Sequence, residues 1–118
     1  MVTVDIKRTD TGIAELTIAG HANAGKHGQD IVCASVSAVS IGTLNAVHQL
    51  LGIRPDVEMA EKGGGFIRWT LHPHENADLE GKQQLLAESV VVTLVAISQQ
   101  YEKYITVNDP KWQGGALS

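Results

Sequence analysis

Apolar and polar residues alternate from the first residues of the chain: Val2, Val4 and Ile6 are separated by Thr3, Asp5 and Lys7. A period of two is that of a strand with one face in a core. The turn-forming stretch TDTG at Thr9 to Gly12 follows, and then Ala14, Leu16 and Ile18 alternate with Glu15 and Thr17. These segments predict an opening β-hairpin that ends at Gly20. From Gly20 to Gln29 the chain has three glycines, an asparagine and no large apolar residue, the composition of a loop. The period then changes. Val32, Val36, Val39, Leu44, Val47 and Leu51 recur at roughly helical spacing and predict a helix from Ile31 to about Ile53, with Asp30 as its N-cap and Gly52 where it stops.

Pro55 ends any helical continuation. Val57 and Met59 alternate with Asp56 and Glu58, and Ile67, Trp69 and Leu71 with Arg68 and Thr70, so a second hairpin is predicted with its turn at Gly63 to Gly65. That GGG has no following Lys-Ser/Thr pair and opens no helix, so it is not a phosphate loop. After the loop HPHENAD, with Asn76 or Asp78 as a cap, Leu79, Leu86, Val90, Leu94, Ile97, Tyr101 and Tyr104 form one stripe of a long helix. The middle of this helix, SVVVTLVAI, is apolar nearly all round, which predicts contact with a second subunit. The order ββαββα gives an α+β fold, a two-layer sandwich in which an antiparallel-rich sheet carries both helices on one face. One domain is predicted over residues 1–107, with 108–118 a loosely ordered tail in which Trp112 could dock.

Composition narrows the functional classes. The 118 residues are 43% hydrophobic and 19% charged, as in an ordinary globular domain long enough to bury a core without staples. A formal charge of -4 and nine scattered Lys and Arg argue against a nucleic-acid surface. One cysteine cannot form an internal disulfide. MVTVDIKRTD is unlike a secretory leader and no later stretch reads as a membrane span, so a cytosolic protein without a membrane partner is expected.

The candidate chemistry lies in GHANAGKHGQDIVCASVS, which contains that cysteine. With Asp30 as cap, Cys33 falls in the first helical turn, where free N–H groups and the macrodipole favour a thiolate. The same N–H groups could hold an oxyanion. A cysteine nucleophile works with a histidine. His21, at a strand end, has the more rigid mount, and His27 sits in mid-loop. Asp30 could cap the helix or orient His21, while its charge opposes thiolate formation. Ser37 follows Cys33 by one turn on the same face. A zinc site from His21, His27 and Cys33 is a rival reading, although it lacks the short ligand pairs of strong zinc motifs. His72 and His74 read as exposed turn residues, and His48 as a partly buried helix residue.

GHANAGKHGQDIVCASVSAVS resembles the signature of the bacterial ribosomal-processing cysteine protease family Prp: a Gly-His pair at a strand end, a glycine-containing loop, then DIVCA-x-VS. The resemblance implies a cytosolic homodimeric endopeptidase that removes a short N-terminal extension from a large-subunit ribosomal protein. It implies catalytic roles for His21 and Cys33, a matching acidic position at Asp30, and a substrate loop containing Gly20, Gly25 and Gly28. No metal or organic cofactor is implied. A non-enzymatic, ribosome-associated dimer that binds a basic peptide is the alternative from another class.

Overall fold

A computed structural model describes residues 1–20, 29–60 and 65–111. The elements are β1 (Val2–Thr9), β2 (Gly12–Ala19), α1 (Gln29–Leu51), β3 (Asp56–Met59), β4 (Phe66–Thr70), α2 (Ala77–Gln100) and β5 (Ile105–Asn108). They build a five-stranded mixed sheet in the order β3-β4-β2-β1-β5. All neighbours are antiparallel except β1 and β5, which run parallel.

One face of this sheet is the core. Val2, Val4, Ile6, Leu16, Ile18, Ile67 and Trp69 are buried in a single cluster with Val32, Val36 and Val47 of α1 and Ala87, Val90, Val91, Leu94 and Val95 of α2. The other face is polar. Arg68 lies 3.8 Å from Glu15 and 3.7 Å from Glu58, Lys7 lies 3.8 Å from Glu15, and Asn108 donates to Asp5 at 2.9 Å. The expected α+β sandwich with both helices on one face is therefore the observed one.

Alternation fails at one place in β2. The register shifts between Lys7 and Arg8 and leaves Ala14 without a partner, so Ile13 rather than Ala14 turns inward and is buried. A bulge of this kind leaves ladder groups open. Here the Ala14 carbonyl accepts from Leu71 N–H at 2.9 Å, and the Gln84 side chain of α2 serves as a strand partner for Ile13. Ile13 N–H donates to Gln84 Oε1 at 2.8 Å and Gln84 Nε2 donates to the Ile13 carbonyl at 3.0 Å. The approach of this amide is why Gly12 is glycine: it has φ +143°, and a Cβ there would meet Gln84 Cδ at 2.7 Å.

At the other end of the chain the helix stripe overreaches. α2 stops at Gln100 with Tyr101 as its C-cap, not at Tyr104. The Tyr104 carbonyl accepts from Val2 N–H at 2.8 Å and Ile105 enters the sheet beside Val2, forming an element that periodicity did not reveal. Asn108 and Asp109, assigned to the loose tail, are part of the fold. Asp109 is buried and receives Arg8 Nε at 2.7 Å and Nη2 at 2.8 Å, while Glu88 of α2 receives Arg8 Nη1 at 2.7 Å and Nη2 at 2.8 Å. Trp112 lies outside the described residues.

The helices also revise two expectations. Val90, Val91, Leu94 and Val95 of α2 are covered within the chain itself, and only Leu85 and Val92 stay exposed among its large apolar residues. The expectation that no stretch has the make-up of a membrane span does not hold for α1. Ile31–Leu51 has no Asp, Glu, Lys or Arg, and its mean hydropathy of 1.5 over an 18-residue window makes it long and apolar enough by length and composition. Its inner side, Val32, Val36 and Val47, packs on the sheet, whereas Ile31, Ile41 and Leu50 are exposed.

Candidate active site

The residues that sequence reading singled out follow the end of β2 and open α1. Gly20 closes β2 with φ +106°, donating its N–H to the Gly65 carbonyl at 2.9 Å. A Cβ at Gly20 would run into the Met1 carbonyl oxygen, so the backbone approach demands glycine irrespective of any role in substrate binding. The strand end is thus fixed from both sides, by Gly65 and by Met1. His21, His27, Gly25 and Gly28 lie outside the described residues.

α1 begins at Gln29, so Asp30 is its second residue and not its N-cap. Cys33 is then the fifth residue, one position beyond the first turn, and its own N–H is in register to bond the Gln29 carbonyl. A helical Cα–Cβ bond tilts toward the N-terminus, so the Cys33 side chain leans over the turn that carries the helix's unsatisfied N–H groups. Cys33 is half-buried and packs against the core cluster. That combination holds the thiol on a rigid element while leaving it accessible.

Around it, Ser35 does not face a shared site but donates to the Ile31 carbonyl at 2.7 Å, and Ser37 is exposed. No Asp, Glu, Lys or Arg of α1 follows Asp30. His72 is exposed and its Nε2 lies 2.7 Å from Asp56 Oδ2; His74 Nδ1 accepts from Asn76 N–H at 3.0 Å. His48 is exposed on α1 rather than partly buried. Among the described residues no three His, Cys, Asp or Glu side chains converge to hold a metal.

A feature that sequence reasoning treated only as core and strand lies farther along α1. Ile41, Leu44, Asn45 and His48 face Arg54, Pro55, Val57 and Met59 across a groove of about 280 Å³. No local pattern in the sequence marks it; only the fold sets this part of α1 beside β3.

Residues 1–106 match the family model described as cysteine protease Prp. The ribosomal processing cysteine protease Prp of Bacillus subtilis is 40% identical over 110 residues, covering 91% of this chain and 96% of its own. Its Staphylococcus aureus namesake is 36% identical over 109 residues, covering 92% and 98%. Among solved structures, the S. aureus essential ribosomal processing protease Prp with a covalently linked product peptide superposes with a TM-score of 0.78 at 34% identity, covering 92% of this chain and 98% of that one. SMU.848 from Streptococcus mutans superposes at 0.80 with 27% identity and 92% coverage of each chain. With a family-model match over residues 1–106 and curated relatives 36–40% identical over nearly the whole chain, the chain belongs to the Prp family of cysteine proteases.

Proposed function

We propose that this protein is a cytoplasmic endopeptidase that removes a short N-terminal extension from a large-subunit ribosomal protein, with Cys33 as nucleophile and His21 as its base. The observation that carries the reading is the place of Cys33: half-buried on the core, near the start of the 23-residue helix that is the next described element after the Gly20 strand end. The names of the relatives, and the peptides held by the S. aureus structures, support a peptide substrate.

In the proposed reaction His21 takes the Cys33 proton and the thiolate attacks the scissile carbonyl carbon. N–H groups of the first turn of α1 stabilise the oxyanion. The tetrahedral species collapses as the C–N bond breaks, and His21 returns the proton to the leaving amine. Water, deprotonated by the same histidine, then hydrolyses the thioester and releases the acidic product. Asp30 and Ser37 act as supporting residues, and Gly20, Gly25 and Gly28 belong to the segment beside the peptide. The reaction uses no metal and no organic cofactor.

The protein is proposed to act as a homodimer that pairs through its helix layer. Leu85 and Val92 of α2, and Ile31, Ala34 and Ala38 of α1, are exposed there and uncharged. The test is incubation with the host's unprocessed ribosomal protein, followed by mass spectrometry of the new N-terminus. Cleavage by the parent, none by Cys33→Ala and little by His21→Ala is the expected pattern. Cleavage by Cys33→Ala at the parent rate would refute the assignment, and peptide binding that survives Cys33→Ser with no product in any form would make the protein a binding module.

A further inference from the structure

The groove between α1 and β3 is outside the reaction just described, yet it lies on the helix that holds Cys33. β3 begins at Asp56, five residues after the last residue of α1, and runs to Met59. Ala60 N–H donates to the Phe66 carbonyl at 3.2 Å, one step from the Gly20 to Gly65 bond, so the Met59 end of β3 and the Gly20 end of β2 lie at the same end of the sheet's strands. α1 therefore leads from Cys33 back along the groove, and Ile41 and Met59 form its nearer end while His48, Arg54 and Pro55 form the farther one.

Distance and chemistry define what fits. Ile41 and Leu44 follow Cys33 by eight and eleven residues, or about 12–16 Å along a helix at 1.5 Å per residue. An extended peptide at about 3.3 Å per residue spans that in roughly four or five residues. β3 is the edge strand of the sheet, and edge strands accept extended peptides through their outer backbone groups. The lining is mostly apolar, and a volume of about 280 Å³ suits one large side chain and its neighbour, not a folded surface. The far end carries the Arg54 guanidinium, which none of the ion pairs among the described residues uses. A carboxylate or a neutral group is favoured there and a basic one repelled.

We propose that this groove is a specificity subsite that takes an apolar residue of the substrate peptide roughly three to five positions from the bond cleaved at Cys33, and rejects a basic residue beyond it. The inference rests on the proteolytic reading above. A second copy of the chain is the competing occupant.

Peptides spanning the processing site test it, with kcat/KM measured by mass spectrometry. Glycine is placed in turn three, four and five residues from the cleaved bond, on each side. One such glycine is expected to lower kcat/KM at least about tenfold, the range for an apolar side chain lost from a fitted pocket. Asn45→Trp, which fills the groove from an exposed helix position, should bring that pair of peptides to within about twofold of each other. Lysine at the next position outward should slow the parent, and Arg54→Glu should relieve the slowing. The proposal is overturned if no glycine matters, if the preference survives Asn45→Trp, or if Asn45→Trp changes the molecular mass in sedimentation, which would give the groove to a second copy. If no peptide is cleaved, the proteolytic reading fails instead; the glycine effect is then read from binding of the same labelled peptides, and its absence there overturns the subsite.

Discussion

Replacing Arg8 with methionine removes the centre of the ion cluster that ties β1 to α2 and to the end of β5. The guanidinium makes four charge-assisted hydrogen bonds of 2.7–2.8 Å, two to Asp109 and two to Glu88. The Asp109 side chain is 0% exposed and that of Arg8 15%. An exposed pair would contribute at most about 1 kcal/mol. Breaking a buried pair by removing one partner costs about 3–5 kcal/mol, because the remaining charge stays desolvated. At about 2.1 cal/mol/K per residue, unfolding 118 residues carries about 0.25 kcal/mol/K, so Tm should fall by roughly 12–20 °C at neutral pH. The pH dependence has a definite sign. Hydrogen bonding from Arg8 holds Glu88 below its ordinary 4.5; burial alone would raise Asp109, but Arg8 and the Lys111 N–H hold it below its ordinary 3.8. With folded values depressed, this stability is complete above about 4.5 and is lost as pH falls through the lower folded values. In Arg8→Met the stranded Asp109 gains from protonation, so the gap between the two proteins should close from both sides on acidification. Urea unfolding at pH 7 and at about pH 3 measures it. A loss below about 1 kcal/mol at pH 7, or one that does not change with pH, would refute the reasoning.

Three further outcomes follow from the packing. Gln84→Leu strands the Ile13 N–H and carbonyl at the β2 bulge and should cost about 2–6 kcal/mol in urea unfolding, since each orphaned buried group costs about 1–3 kcal/mol. Leu94→Ala, at a fully buried position of α2, should cost about 2–5 kcal/mol by the same measurement. Gly20→Ala should cost about 1–3 kcal/mol through its positive φ and the Met1 carbonyl, and kcat on a peptide should fall by more than the folded fraction does, because the strand end that precedes His21 has moved.

Elements carried by local pattern were legible in the sequence. Val2, Val4 and Ile6 alternate and are buried; Val32, Val36 and Val47 of α1 and Val90 and Leu94 of α2 recur at helical spacing and are packed on the sheet. What escaped was decided by distant partners. Ile13 replaces Ala14 in the core because Gln84, seventy-one residues away, completes the bulge. β5 is four residues long and follows tyrosines that extend the α2 stripe; its place is set by Val2, whose N–H takes the Tyr104 carbonyl. Asp109 reads as a solvated charge until Arg8 is brought to it. Cys33 and its helix were legible from one segment, while the helix start came two residues earlier than the Asp30 cap predicted, within the usual fraying of such boundaries.

The two ends of the sequence together hold the site in place. Gly20 is seated against Met1, and the residue after Met1 is held twice over: Val2 pairs with Ile105 in the sheet and its N–H bonds the Tyr104 carbonyl. β5 in turn is secured past its end by Asp109 on Arg8, at the opposite end of β1. A parallel strand of four residues has few hydrogen bonds of its own and would fray alone. Anchored by the ion cluster at one end and by Val2 at the other, it stiffens the first half of β1, which is the wall behind Gly20. The last strand therefore has a mechanical reason to exist: it makes the strand end at Gly20, which precedes the proposed base His21, a fixed point rather than a frayed one.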